Sequence, residues 1–526
     1  MNEGEIGDPV ALPVDPTGVR GLDVVLGGGL PRRALALVSG PPGSGKTTLA
    51  AQLAVAAARA GRRALIVTAF AESSDKLIAH LRTYRFFDAD LLGDSLEILS
   101  LGQFLDAGMA RLAEEVIGLV RDRRARLVAL DGFDGVRGID PDPQAARRLL
   151  YVVGNAAAAL DATTLVTSVA DPRDITFAPQ ATVADVIVRL GYDLVGMRER
   201  RRLEVVKIRG AAPLPGLHGL TLGADGAAVY PRLESRVAVI RRRGEPAGLR
   251  ASANDEEEMA PPPETAVAFG LPALDMLVAG GFAGTTLLAG EVGSGKTLLG
   301  LQFALAAVAR GEPAVLLSFR ESRRELQRLA DAFTFGPRLR AALRPGGGLT
   351  LLDVNVPPVE LDADVVADEL LDVLDGTNAR RLVVDSSADL ERAVAVSGGA
   401  DRVDDYMGAL TVALRTRNVS ALFVKESPIV RPMRIGLSPL RSDSPTGAIT
   451  AEGLAPRVDN VLLLRQEAPD GRPRRELVIL KTRFAAHAAA RYPYAIVAPT
   501  GIVLEDLGDE AGGESERPSS TGAGRP

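Results

Sequence analysis

Gly40-Pro-Pro-Gly-Ser-Gly-Lys46-Thr47-Thr48 stands between the apolar run 35–38 and the alanine-rich segment 49–60, so it reads as strand, glycine loop, helix. Gly40, Gly43 and Gly45 let successive backbone N–H groups curl round a phosphate, with Ser44 inside the turn. Lys46 reaches the β- and γ-phosphates, and the Thr47 hydroxyl is a ligand for Mg²⁺, with Thr48 next on the helix. The motif recurs. Gly290-Glu-Val-Gly-Ser-Gly-Lys296-Thr297-Leu298 follows the run 285–289 and opens another apolar helix. Gly290, Gly293, Ser294, Gly295, Lys296, Thr297 and Leu298 therefore form a second candidate nucleotide loop, with Thr297 as its magnesium ligand.

Composition narrows the chemistry. With 526 residues the chain has room for two or more full cores. Its 61 basic and 67 acidic residues give a formal charge of -6, which supplies no global pull toward nucleic acid or an anionic membrane. There is no cysteine, which excludes disulfides, zinc ribbons and thiol nucleophiles, and the three histidines, His80, His218 and His487, are scattered. Residues 1–16 lack a basic start followed by an apolar core, and no alanine-rich stretch reaches membrane-spanning length before Arg, Asp or Gly breaks it. The expectation is a cytoplasmic protein without a targeting segment.

Along the chain, residues 1–16 read as a loose tail and 17–234 as a first domain. The run 64–68 is a second strand, ending in Ala71-Glu72-Ser73. Open parallel sheets bind ligands at the carboxyl ends of their strands, so Glu72 is a candidate for orienting water; the alternative is a helix-capping acid. Residues 110–123 are helical, and 127–131 is an apolar strand ending in Asp131, the expected second magnesium-side residue. A helix over 145–160 and a strand over 163–168 follow. Residues 183–190 and 202–209 read as paired edge strands joined by the charged turn 198–201. Lys207 and Arg209, two apart, share one face of their strand. They suit either a phosphate contact, on this chain or a neighbour, or the protective charge of a solvated edge.

Residues 235–266 read as a linker carrying Arg241-Arg-Arg, Asp255-Glu-Glu-Glu258 and Pro261-Pro-Pro263, with a short strand at 237–240. A second domain over 267–504 then repeats the first, and 505–526 is a Gly/Glu/Ser/Pro-rich tail expected to be disordered. Lys46 and Lys296 are 250 positions apart, Glu72 and Glu321 249, and Asp131 and Asp385 254. Lys481 and Arg483 repeat the cation pair. These intervals mark duplication of a whole domain.

Taken together, Gly-x-x-x-Leu-Asp before each glycine loop, a glutamate after the second strand and the Lys-x-Arg strand resemble the KaiC-like family of duplicated RecA-fold ATPases, over about residues 15–505. The resemblance implies tandem RecA-like α/β domains, each a mostly parallel sheet flanked by helices. It also implies a two-tiered homo-hexamer, ATP with Mg²⁺ between neighbouring subunits, slow hydrolysis, and Lys207, Arg209, Lys481 and Arg483 reaching the adjacent chain's nucleotide. Two departures stand out. The family's adjacent glutamates read here as Ala71-Glu72 and Arg320-Glu321, and neither alanine nor arginine accepts a proton, so either Glu72 and Glu321 take over the role of base or turnover is weak. The hydroxyl pair that clock proteins of the family phosphorylate falls at Ala455-Pro456, leaving Ser442, Ser444, Thr446 and Thr450 as the acceptors an autokinase would have. Rival readings are a DNA-dependent ATPase of the RecA and RadA type, which net charge and composition disfavour, and a nucleotide-gated scaffold whose linker or tail binds protein partners.

Overall fold

The computed structural model describes residues 12–68, 73–100, 109–138, 143–171, 178–195, 197–242, 266–278, 281–354, 356–426, 454, 456–467, 474–485 and 490–504. Glu72, Ala71, Ala455, the candidate acceptors Ser442, Ser444, Thr446 and Thr450, most of the linker, residues 1–11 and the tail 505–526 lie outside them; the end of the expected loose tail is instead paired, Val14 with Pro31 and Asp15 with Leu30. The chain falls into two compact units, residues 1–251 with 361–369 and residues 252–360 with 370–526.

The first unit begins with the short pair β1 (Val14–Asp15) and β2 (Leu30–Pro31). Its main strands are β3 (Leu35–Ser39), β4 (Ala64–Thr68), β5 (Leu96–Ser100), β6 (Leu127–Asp131), β7 (Thr163–Ser168), β8 (Val186–Val195), β9 (Arg198–Ile208), β10 (His218–Gly223) and β11 (Gly226–Tyr230). They form one nine-stranded sheet in the order β5-β4-β6-β7-β3-β8-β9-β10-β11. The strands from β5 to β8 run parallel, and β9 to β11 are added antiparallel.

The apolar runs explain why the parallel strands are central. Ala36, Val38, Ala64 and Ile66 face one core with the helix Lys46–Arg59. Leu35, Leu37, Leu65 and Val67 face the opposite core with the helices Met109–Arg123 and Pro143–Ala159. A strand covered on both faces has no solvent side and is apolar throughout.

The second unit repeats this. Strands β12 (Thr285–Gly290), β13 (Ala314–Ser318), β14 (Leu349–Asp353), β15 (Arg381–Asp385), β16 (Ser420–Glu426), β17 (Asn460–Glu467), β18 (Arg474–Thr482), β19 (Arg491–Val497) and β20 (Gly501–Leu504) make a nine-stranded sheet in the order β14-β13-β15-β16-β12-β17-β18-β19-β20. Strand for strand, this is the order of the first. Both sheets are mixed, and both are flanked by helices, as expected of tandem RecA-like domains.

Three local expectations are corrected. Residues 198–201 lie inside β9, not in a turn. Residues 237–240 belong to the helix Leu233–Arg242, whose Val237 is buried, so the segment is neither strand nor linker. The paired strands are not edges along their length: β8 lies between β3 and β9, and β9 between β8 and β10. The pairing of β10 with β9 stops at Leu203, however, and that of β19 with β18 at Val478, so each lysine-bearing half runs past its outer neighbour. The cations occupy those overhanging halves.

Candidate active sites

Each glycine loop sits at the carboxyl end of the central strand and closes onto the following helix. Gly43 (φ 76°) and Gly45 (φ 101°) take left-handed backbone that only glycine adopts without strain, and Gly293 (φ 77°) and Gly295 (φ 91°) repeat it. A Cβ on Gly40 would stand 2.5 Å from the Leu190 carbonyl oxygen. Neither Gly45 nor Gly295 caps its helix with a side chain, so the first-turn N–H groups remain directed at the loop. Lys46 Nζ donates to the carbonyl oxygens of Gly40 (2.8 Å) and Pro41 (3.0 Å), and Lys296 Nζ to that of Glu291 (2.6 Å). Both ammonium groups lie folded over their own loops. Burial lowers the pKa of each; Asp131 and Asp134 oppose this at Lys46, and Glu426 and Asp385 chiefly at Lys296. Thr48 and Leu298, one position on, are buried.

The strand-end acids meet the loop threonines. Thr47 Oγ1 donates to the Asp131 carboxylate, 3.0 and 3.1 Å from its two oxygens, and Thr297 Oγ1 donates to Asp385 Oδ2 at 2.8 Å. Hydroxyl and carboxylate oxygens so paired are the hard donor set that Mg²⁺ takes. Ser44 Oγ is buried without a hydrogen-bond partner among the described residues, a polar atom left for a ligand of the loop. These residues fit a magnesium–nucleotide complex.

Around this shared frame the two sites differ. In the first, Thr167 Oγ1 donates to Asp131 Oδ1 at 2.6 Å and accepts from Gly132 N at 2.8 Å. In the second, the residue paired with Asp385 across β15 and β16 is Val424, which offers no hydroxyl. Burial pushes the Asp385 carboxyl above the usual range, with the Thr297 hydrogen bond opposing. Arg320 Nε donates to Asp389 Oδ2 (2.8 Å) and Arg320 Nη1 to Glu426 Oε2 (3.1 Å), closing an ionic bracket beside the loop. Glu321 is half-buried next to it, and burial, then Asp385, raises its pKa. Tyr494 Oη donates to the Ser294 carbonyl oxygen at 2.6 Å, bracing the second loop from β19.

The cation pairs are not beside their own loops. Lys207 lies opposite Ile187, near the start of β8, and Lys481 opposite Val461, near the start of β17. These are the amino-terminal ends of the parallel strands, whereas the loops leave the carboxyl ends. Lys207 Nζ donates to the Ala184 carbonyl oxygen (2.6 Å) and Lys481 Nζ to that of Val458 (2.5 Å). The structure thus brings together Lys46, Thr47 and Asp131 in one site and Lys296, Thr297, Asp385, Arg320 and Glu321 in the other, and sets each Lys-x-Arg pair apart from the loop of its own unit. Thr167, Asp389, Glu426 and Tyr494 carried no motif in the sequence.

The sequence profile of the family described as "ATPase: KaiC" matches residues 15–234 and again 267–508. The chain belongs to the KaiC ATPase family. Among KaiC-family relatives, a protein named circadian clock protein KaiC3 from Synechocystis sp. is 24% identical over 490 residues, covering 90% of this chain and 88% of that protein. The circadian clock oscillator protein KaiC of Synechococcus elongatus is 28% identical over 340 residues, 61% of this chain and 60% of its own length. That of Picosynechococcus sp. is 27% identical over 329 residues, 60% of each. KaiC-family membership supports a general ATP-binding and ATP-hydrolysing role. Among the described residues, no helix is long and apolar enough to cross a membrane.

Proposed function

We propose that the chain binds Mg-ATP at both glycine loops and hydrolyses it slowly as a two-tiered homo-hexamer in the cytoplasm. The observation that carries this reading is the repeated contact of the loop threonine with the strand-end aspartate, Thr47 with Asp131 and Thr297 with Asp385. In each unit the loop N–H groups and the lysine hold phosphate oxygens, and the threonine and aspartate hold the metal. Mg²⁺, when bound, supplies charge neutralisation at the phosphates. Glu72 and Glu321 orient the attacking water in line with the γ-phosphorus, and the raised pKa of Glu321 makes it a stronger acceptor than an ordinary carboxylate once ionised.

Lys207, Arg209, Lys481 and Arg483 serve the nucleotide of the neighbouring subunit, a reading supported by their position at the sheet ends away from their own loops. Turnover then depends on assembly. The bracket of Arg320 with Asp389 and Glu426 favours a mainly nucleotide-holding role for the second unit, which would be the scaffold half of the molecule. Ala455-Pro456 has no acceptor hydroxyl, so hydrolysis rather than phosphoryl transfer to the protein is the reaction proposed, with Ser442, Ser444, Thr446 and Thr450 the acceptors that an autokinase would need.

Equilibrium binding of a fluorescent ATP analogue tests the two-site reading. Two nucleotides per chain are expected, falling to one in Lys46→Ala and in Lys296→Ala. A stoichiometry that either variant leaves at the wild-type value contradicts the assignment of that loop.

A further inference from the structure

One further arrangement outside the phosphate loops is repeated in both units, and it concerns what holds the Lys-x-Arg pairs. In the first unit Asp185 precedes β8. Its Oδ1 accepts from Arg209 Nη1 at 3.0 Å, its Oδ2 accepts from the Leu35 N–H at 3.0 Å, and its carbonyl oxygen accepts from the Arg209 N–H at 3.0 Å. The preceding carbonyl, that of Ala184, takes Lys207 Nζ. In the second unit Asp459 precedes β17. Its Oδ1 lies 3.7 Å from Arg483 Nη1, its Oδ2 accepts from the Thr285 N–H at 2.9 Å, and its carbonyl oxygen accepts from the Arg483 N–H at 3.0 Å. Again the preceding carbonyl, that of Val458, takes the lysine. Asp459 is wholly buried and also accepts from Arg415 Nη2 at 2.6 Å.

A dipeptide therefore grips both cations of each pair, and one carboxylate ties the arginine to the first N–H of the strand that ends in the phosphate loop. Arginine and lysine side chains carry much rotamer freedom, and the Arg209 side chain is 59% exposed. Only an anchor fixed to a rigid element makes such a cation a defined partner for an incoming phosphate.

We propose that Asp185 and Asp459 are positioning residues that set the Lys-x-Arg cations for the nucleotide bound by the adjacent subunit. This rests on the reading of those cations as acting between subunits. Asp185→Asn keeps an oxygen for the Leu35 N–H while removing the charge that holds Arg209. It lowers kcat for phosphate release by about tenfold, the scale of one lost charge-assisted hydrogen bond, and leaves KM within about twofold.

The deciding experiment mixes full-length Asp185→Asn with full-length Lys46→Ala, lets them co-assemble, and compares phosphate release with the average of the two alone. In mixed rings an intact loop on an Asp185→Asn subunit can receive the well-held cations of a Lys46→Ala neighbour, so release exceeds that average. Arg209→Ala mixed with Lys46→Ala is run alongside, and Asp459→Asn with Lys296→Ala repeats the design in the second unit. Excess release with Arg209→Ala but none with either aspartate variant overturns the positioning role and leaves the intersubunit reading standing. No excess with Arg209→Ala overturns the intersubunit reading itself. Asp185→Asn with wild-type kcat also refutes the proposal.

Discussion

Thr167 is the residue that most separates the two sites. Its hydroxyl links Asp131 to the Gly132 amide, so Thr167→Val removes one hydrogen bond from the carboxylate and leaves the amide unpaired. Residues that orient metal ligands cost about 10- to 100-fold when lost. Thr167→Val, measured in a Lys296→Ala background, should lower phosphate release by the first unit about tenfold or more while nucleotide still binds. Unchanged release would show that Thr47 alone fixes Asp131.

Glu321 makes a second prediction at the same scale. Burial and the neighbouring Asp385 raise its pKa, with Arg320 opposing. A water-orienting carboxylate works when ionised. Phosphate release by the second unit, read in a Lys46→Ala background, should therefore rise with pH through that displaced value, and Glu321→Gln should remove the rise. The stability linkage runs the other way. A carboxyl whose folded pKa exceeds its unfolded one favours the fold at low pH, and that contribution is lost as pH rises through the folded value.

At the scale of elements, the loops depend on glycine geometry. Gly45→Ala would force a Cβ at φ 101° and set it 2.8 Å from Leu222 Cδ1 on β10. It should cost about 1–3 kcal/mol in urea unfolding and weaken nucleotide binding, because the same backbone forms the cradle. On the helix Arg323–Ala330, Ser322 and Glu325 form a reciprocal capping box immediately after Glu321. Ser322→Ala should cost about 1 kcal/mol by the same measurement.

These elements also show what could be read in advance. Both loops, their helices and the strands ending in Asp131 and Asp385 were legible because glycine spacing and unbroken apolar runs are local signals. The antiparallel strands β10, β11, β19 and β20 were not, since they are short and their pairing is set by distant partners. The arginine-rich stretch 198–201 read as a turn because charge resembles exposure, yet it continues β9. Thr167 and Glu426 reach their sites from a neighbouring strand, so no sequence spacing announces them. Asp185 and Asp459 did leave a trace: each stands 22 residues before the lysine of its pair. That interval becomes visible only when the halves are aligned.

At the scale of the whole molecule, duplication has kept the sheet order and the threonine–aspartate contact in both halves while changing what surrounds them. Asp131 has a threonine beside it; Asp385 has a valine and an arginine bracket. Turnover should therefore be unequal, greater in the first unit. Under the proposed sharing of cations between neighbours, specific activity should also fall on dilution through the range where assembly is lost. An activity per chain that is constant across that range would place the complete machinery within one subunit.

The most direct test of the central claim follows inorganic phosphate from Mg-ATP while light scattering records the mass of the same sample, for wild type, Lys46→Ala, Lys296→Ala and the double variant. Wild type should assemble with nucleotide and release phosphate, with the larger loss of release in Lys46→Ala and none remaining in the double variant. Assembly with release no greater than that of the double variant would contradict it and leave a nucleotide-gated scaffold.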